Sequence, residues 1–95
     1  MMKDYMSCGV WLVSHDGNSK CVLGVNGSLQ VLVNDIVVEK SKGYYTGEFY
    51  GVISNGKFIL MNVLDGEEIE VWSRVVGEGN CLILENGGIL KSVFC

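Results

Sequence analysis

Proline and alanine are both absent from this chain of 95 residues, which instead carries 14 valines and 6 isoleucines. Alanine is the strongest helix former, whereas β-branched side chains fit the pleated surface of a sheet. The 13 glycines and 7 asparagines are residues that tight turns require. The composition therefore predicts strands joined by short turns. It also suits an AT-rich genome of the kind that many phages have.

Basic residues are few as well: Arg74 is the only arginine, and the formal net charge is −4. Nucleic-acid-binding proteins usually present a broad basic face, so nucleic acid is a poor partner for this chain. We expect instead a partner protein with a basic surface. The chain is 48% hydrophobic and only 19% charged, which excludes intrinsic disorder and predicts a single domain over residues 1–95.

Long apolar runs are also missing. No run approaches the length of about 18 residues that a membrane helix needs, and the first residues lack the apolar core and cleavage site of a secretory signal. We therefore expect a cytoplasmic protein without a membrane partner. No two cysteines have the close spacing of a zinc site. We expect reduced thiols that pack as small apolar side chains, and neither metal nor cofactor: the four are Cys8, Cys21, Cys81 and Cys95.

Glycine-containing turns divide the chain at regular intervals. Asn-Gly and Asp-Gly pairs between apolar segments are the strongest short signals of a β-hairpin, because a type I′ turn needs positive φ at both central residues. The predicted fold is all-β, either a small antiparallel β-barrel or a compact β-sandwich with hairpin connections. The turns leave nine candidate strands, of which we expect one not to form: 8–14, 20–25, 28–33, 36–41, 44–53, 57–64, 67–76, 80–85 and 89–94.

The segment 28–42 allows a second interpretation, a single helix capped by Ser28. Its β-branched residues and the possible turn at Asn34-Asp35 favour two strands, and a helix would instead plug one end of a barrel. The helical alternative depends on apolar residues at the spacing of one helix face: Leu29, Leu32, Val33, Ile36 and Val37.

A two-residue loop at Asp65-Gly66 predicts the register of one hairpin. On the face toward the core, the predicted pairs are Leu64 with Glu67, Asn62 with Ile69, and Leu60 with Val71. The other face is predicted to combine an apolar strip with charged residues, which is either the rim of a buried layer or a binding surface. Its predicted pairs are Val63 with Glu68, Met61 with Glu70, and Ile59 with Trp72.

Catalytic candidates are few. His15 beside Asp16 could form an oriented base, and Glu68 and Glu70 share a strand face at a spacing compatible with paired acid and base roles. The first pair also has the composition of a turn, and the second that of a solvated acidic strand. The sequence contains no phosphate-binding signature. We therefore expect no enzymatic activity.

The segment 40–51 contains three of the four tyrosines. Tyrosine offers a large, rigid and amphipathic contact area and is enriched at interface hot spots. Gly43, Gly47 and Gly51 recur every four residues, so on one strand they would form a flat face that another backbone or ring can approach. We therefore predict a partner-binding surface of eight residues: Tyr44, Tyr45, Phe49, Tyr50, Met61, Glu68, Glu70 and Trp72.

These observations favour a small acidic binding protein that acts by protein–protein contact. A phage-type inhibitor or modulator of a larger host enzyme is one such protein. The first alternative is a self-assembling subunit, a homo-oligomer or virion component, with Phe94 and Cys95 buried between protomers. The second is a β-barrel that sequesters a small ligand such as a nucleotide, or that binds single-stranded nucleic acid through tyrosine rings.

Overall fold

The structure is a computed structural model that describes residues 8–43 and 46–95. These residues form nine strands and no helix, which confirms the all-β prediction. All nine candidate segments form strands, so the expectation that one would fail is wrong. The strands are β1 (Gly9–Val13), β2 (Ser19–Leu23), β3 (Leu29–Val33), β4 (Ile36–Lys40), β5 (Glu48–Ser54), β6 (Lys57–Leu64), β7 (Glu67–Val75), β8 (Cys81–Glu85) and β9 (Ile89–Val93).

Three antiparallel sheets follow one another along the chain. Strands β1 to β4 form the first sheet, β5 to β7 the second, and β8 and β9 the third, and in each the spatial order equals the sequence order. Short hairpin loops enforce this order, because they connect only neighbouring antiparallel strands. The sheets do not close into a barrel.

The segment 28–42 forms strands β3 and β4 rather than a helix. Asn34 and Asp35 form its two-residue turn, with φ of 51° and 66°. Asn and Asp tolerate this left-handed conformation better than most other residues, since their short side chains can hydrogen-bond locally. The turns at Asn55-Gly56 and Asp65-Gly66 have the same positive φ at both positions, as a type I′ turn requires.

The core lies where the inner faces of the three sheets meet. Phe58 is central to it: its ring stacks on Trp11 at 5.4 Å and meets the edge of Trp72 at 6.1 Å. Gly51 lies directly beneath the Phe58 ring, which would occupy the place of any added Cβ atom. The buried apolar residues are Cys21, Leu23, Leu29, Val31, Phe49, Phe58, Leu60, Val76, Leu84 and Leu90.

The four cysteines differ in state. Cys81 and Cys95 form a disulfide with their Cα atoms 6.1 Å apart, so the expectation of reduced thiols is wrong for this pair. The two cysteines are 14 residues apart in the sequence, and only the folded β8–β9 hairpin brings them together. The sequence alone therefore did not predict this disulfide. Cys21 is free and fully buried, and burial raises the pKa of its thiol to about 12. It packs as the small apolar side chain that we expected, whereas Cys8 is exposed.

The third sheet is fastened to the end of the second by hydrogen bonds. The Ser92 N–H donates to the Val76 carbonyl at 3.0 Å, and the Ser92 hydroxyl donates to the carbonyls of Val76 and Gly77. These bonds hold strand β9 beside the residues that follow β7. Among the described residues, no helix is long and apolar enough to cross a membrane.

Candidate functional site

A β-bulge in strand β7 sets the geometry of the second sheet. Four of the six predicted cross-strand pairs are confirmed, those that join residues 61–64 with residues 67–70. The other two are wrong, because Leu60 pairs with Trp72 and Ile59 with Ser73. The register shifts between Leu60 and Met61, which leaves Val71 as the extra residue of the bulge.

The bulge moves Trp72 away from the predicted outer strip. A register shift of one residue transfers a side chain to the other face of the strand. Trp72 and Val71 both pack against the core, and the indole of Trp72 contacts Phe58. Trp72 is therefore half-buried on the inner face instead of lying beside Met61 and Glu70.

Phe49 lies in the core as well. It pairs with Asn62 on the inner face, and its ring packs against Gly27 in the turn between β2 and β3. Phe49 and Tyr50 are neighbours in one strand, so their side chains point to opposite faces. That alternation was visible in the sequence and would have separated the two residues.

Tyr44 and Tyr45 lie outside the described residues. Strand β5 begins at Glu48, and Gly43 and Gly47 precede it with φ of 84° and 97°. Gly43, Gly47 and Gly51 therefore do not form the predicted flat face on one strand. Gly51 alone of these three glycines lies in a strand, and the ring that covers it is Phe58 of the same chain.

Four of the predicted residues come together on the outer face of the second sheet. Tyr50, Met61 and Glu70 are opposite one another across strands β5, β6 and β7. The next row holds Glu48, Val63 and Glu68. We call this surface the acidic face; it consists of Glu48, Tyr50, Met61, Val63, Glu68 and Glu70.

Tyr50 connects the two rows. Its hydroxyl donates a hydrogen bond of 2.8 Å to Oε1 of Glu68. Because Tyr50 lies on β5 and Glu68 on β7, the tyrosine side chain reaches across β6. Only 7% of Tyr50 is exposed, although it lies on the outer face. The contact fixes the Glu68 carboxylate, since a hydrogen bond to an ionised acceptor is stronger than one between neutral groups.

The electrostatics of the acidic face come from three exposed carboxylates, those of Glu48, Glu68 and Glu70. Glu68 and Glu70 are about 7 Å apart by strand geometry, and Glu48 is about two strand spacings, roughly 10 Å, from Glu68. Among the described residues, the cation on this face of the sheet is Lys57, which lies at the other end, opposite Ser54 and Val75. The arrangement concentrates negative charge around half-buried Met61 and Val63. Such a surface suits ion pairing with lysine or arginine.

Glu48 and Val63 were missed in the sequence. The alternation Glu48–Tyr50 along β5 would have placed Glu48 beside Tyr50, had the start of the strand been known. Arg74 lies after the bulge, opposite Phe58, and forms an ion pair with Glu39 of strand β4.

The His15-Asp16 pair lies in the turn between β1 and β2. The Asp16 Oδ1 atom accepts hydrogen bonds from the Ser14 hydroxyl at 2.6 Å and from the Asn18 N–H at 3.0 Å. These bonds stabilise the ionised form and lower the pKa of the Asp16 carboxyl. The Asp16 N–H donates to Oδ1 of Asn86, which ties this turn to the β8–β9 turn. The Asp16 carboxylate therefore stabilises the turn between β1 and β2 by hydrogen bonds.

A shallow depression lies beside His15. Its volume is about 250 Å³, and it is lined by His15 and by residues of strand β8 and the turn after it, Ile83, Leu84, Glu85 and Asn86. Ligand pockets usually occupy at least about 300 Å³ and enclose most of the ligand. This depression is both smaller and more open.

Comparison with known proteins gives no information on the function of this chain. The chain matches no protein-family model, no curated protein and no solved structure.

Proposed function

We propose that this protein is a non-enzymatic binding protein that holds a partner protein through its acidic face. The observation that carries the proposal is the convergence of Met61, Glu68 and Glu70 on the outer face of the second sheet, where the buried Tyr50 donates a hydrogen bond to Glu68. Glu48 adds a third carboxylate to it. The half-buried apolar centre with a charged rim has the general anatomy of a protein interface.

The charge of the face selects the partner. Carboxylates attract lysine and arginine side chains, and arginine can bind a carboxylate through two parallel hydrogen bonds. The same charges repel the phosphates of nucleic acid. The face is a sheet surface rather than a concave cavity, which favours a macromolecule over a small ligand. A protein with a basic surface therefore fits best.

An inhibitor or modulator of a larger enzyme, of the kind that phages use against a host, is one form of such a binder. Its acidic face would cover a basic site of the enzyme. A cytoplasmic location is part of this hypothesis. The Cys81–Cys95 disulfide opposes that location, because disulfides persist mainly in oxidising compartments.

The proposal is tested by affinity capture from a host lysate with the tagged chain, with and without nuclease. The test variant is Glu68→Gln/Glu70→Gln, which removes two charges from the acidic face. The control is Glu67→Gln/Glu78→Gln, which removes two exposed charges elsewhere: Glu67 pairs with Leu64 in the row beside that of Glu68, and Glu78 follows β7. Both variants change the net charge by the same amount.

We expect the wild type and the control to capture the same protein at near-equal stoichiometry, whatever the nuclease treatment. The test variant should lose at least about tenfold in affinity, which corresponds to about 1.4 kcal/mol. Raising the salt concentration should weaken capture of the wild type, because exposed charges are screened. Equal capture by both variants, equal loss in both, or loss on nuclease treatment would contradict the proposal.

A further inference from the structure

The third sheet, β8–β9, covers part of the first sheet. Strand β8 packs against β1 and β2, and Leu84 and Leu90 belong to the same buried cluster as Cys21 of β2. Cys21 is paired with Val31 across strands β2 and β3. Gly88 in the β8–β9 turn lies against Val31, since a Cβ atom added to this glycine would stand 3.3 Å from Cγ1 of the valine. The third sheet therefore lies over the region that buries Cys21.

Of the two free cysteines among the described residues, Cys21 is the buried one. A reagent in solution does not reach its sulfur while the sheets stay packed. Burial also raises the pKa of this thiol to about 12, so almost none of it is thiolate at neutral pH. The thiolate is the reactive form of cysteine. A reaction at Cys21 therefore reports that the sheets around it have opened.

Few noncovalent contacts hold the third sheet in place. Within the described residues it consists of β8 and β9 alone, and a two-stranded hairpin is marginal in water. Its fully buried apolar side chains are those of Leu84 and Leu90. Hydrogen bonds attach it to the rest of the fold through Ser92 near its open end and through Asn86 at its turn. The attachment of this sheet therefore depends strongly on its disulfide.

The disulfide joins the two strands at the open end of the hairpin, where solvent reaches it. Cys95 is exposed and Cys81 is half-buried. Exposed disulfides are among those most readily reduced, and the disulfides found in the cytosol are usually transient, catalytic or redox-sensing. While the bond is intact, β9 cannot separate from β8 at this end. Once it is broken, β9 is held by noncovalent contacts alone.

We propose that the Cys81–Cys95 disulfide is a redox latch, whose reduction releases the third sheet from the core and exposes the Cys21 thiol to solvent. Opening is local, because the second sheet keeps its own buried side chains, among them Phe58 and Leu60. The latch acts on the third sheet and leaves the acidic face on the second unchanged. It therefore does not depend on the proposed function.

The reductant is a small thiol of the glutathione class. One molecule attacks the sulfur of Cys95 and forms a mixed disulfide there, and its proton passes to the departing sulfur of Cys81. A second molecule attacks the mixed disulfide, which leaves Cys95 as a thiol and releases the small thiol as its own disulfide. The protein gains two electrons and two protons, and two small thiols are oxidised. Reoxidation by the same disulfide closes the latch again.

Alkylation with N-ethylmaleimide, followed by measurement of the intact mass, tests the proposal on the complete chain. Cys8→Ser removes the exposed free thiol, so that Cys21 is the only thiol left in the oxidised protein. The test variant is Cys8→Ser/Cys81→Ser/Cys95→Ser, which lacks the latch. We expect its Cys21 to be labelled more than about tenfold faster than that of Cys8→Ser. Labelling in urea is the positive control, since unfolding exposes Cys21 in both.

Reduction provides a second measurement on an unaltered latch. Oxidised Cys8→Ser should stay unlabelled over the time in which the glutathione-reduced protein is labelled on Cys21, Cys81 and Cys95. Reoxidation before the alkylation step should restore protection of Cys21. This reversal uses one and the same chain, so it separates the effect of the disulfide from that of the serine substitutions.

Hydrogen exchange measured by mass spectrometry establishes where the structure opens. Without the disulfide, the amides of residues 81–93 should lose protection, whereas those of β6 should keep it. Equal labelling of Cys21 with and without the disulfide, a disulfide that glutathione does not reduce, or protection of β8 and β9 that survives its loss would overturn the proposal. Loss of protection in all three sheets would overturn it as well, because the disulfide would then stabilise the whole fold rather than one sheet.

Discussion

The second and third sheets are held together by different means. The three-stranded sheet β5–β7 buries Phe49, Phe58 and Leu60 on its inner face, and its outer face carries the acidic face. The two-stranded sheet β8–β9 contributes Leu84 and Leu90 to the core and carries a disulfide at its open end. An isolated two-stranded hairpin is marginal at best in water. The difference indicates that the larger sheet is stabilised by its buried apolar side chains, whereas the small sheet also relies on a disulfide.

The largest expected effect is the loss of the Phe58 ring. Phe58→Ala should lower the free energy of unfolding by about 3–5 kcal/mol, because the ring contacts Trp11, Trp72 and Gly51 and leaves a cavity when removed. Met61→Ala, on the outer face of the same strand, should cost about 1–2 kcal/mol. Urea unfolding measures both. Equal losses would contradict the assignment of inner and outer faces.

Breaking the disulfide should have the next largest effect. Reduction, or the variant Cys81→Ser/Cys95→Ser, should lower the free energy of unfolding by about 3 kcal/mol, as expected for a closed loop of this length. Cys8→Ser is the matched control, since Cys8 is exposed and free. If reduction leaves the unfolding midpoint unchanged, the third sheet does not need its covalent link and the comparison with β5–β7 fails.

A smaller effect is expected on the acidic face. Tyr50→Phe removes one hydroxyl and its hydrogen bond to Glu68, which should lower the free energy of unfolding by about 1 kcal/mol. The ring stays, so folding is preserved. In a double-mutant cycle with Glu68→Gln, the two changes should be non-additive. Additive effects would show that the hydroxyl and the carboxylate do not interact in solution.

The smallest effect concerns the turn that Asp16 links to the third sheet. In the folded protein the pKa of the Asp16 carboxyl is lowered below 3.8 by hydrogen bonds, chiefly the one from the Ser14 hydroxyl. The carboxylate therefore contributes stability above the pKa of the unfolded chain and loses it as the pH falls through the folded-state pKa. Asp16→Asn should flatten the fall in stability between pH about 4 and pH about 2. A variant with the same acid profile as the wild type would contradict this role.

The hairpins could be predicted because their signals are local. A two-residue turn fixes which residues of two neighbouring strands face each other, so the pairs near Asp65-Gly66 followed from sequence alone. The same reasoning brought Met61, Glu68 and Glu70 to one face. It failed from Val71 onward, because the bulge has no local signature here and places Trp72 against Phe58, a contact that local pairing rules do not include.

Contacts between residues that are far apart in the chain could not be predicted from the sequence. Cys81 and Cys95, Glu39 and Arg74, and the contact of Phe49 with Gly27 all depend on how separate sheets or chain ends meet. The same holds for Phe49 as a member of the binding surface. Phe49 was assigned to the binding surface because it is aromatic. Side chains alternate between the two faces of a strand, however, and this alternation places Phe49 on the inner face.

The sequence by itself determined the all-β fold, the strands and most of their hairpin turns. It did so because β-branched segments and positive-φ turn residues act within a few positions of one another. Tertiary structure alone decided that the sheets stay open, that a disulfide closes the C-terminus, and which face of each strand meets solvent after the bulge. These outcomes depend on contacts between residues far apart in the chain, and such contacts form only when the sheets pack together.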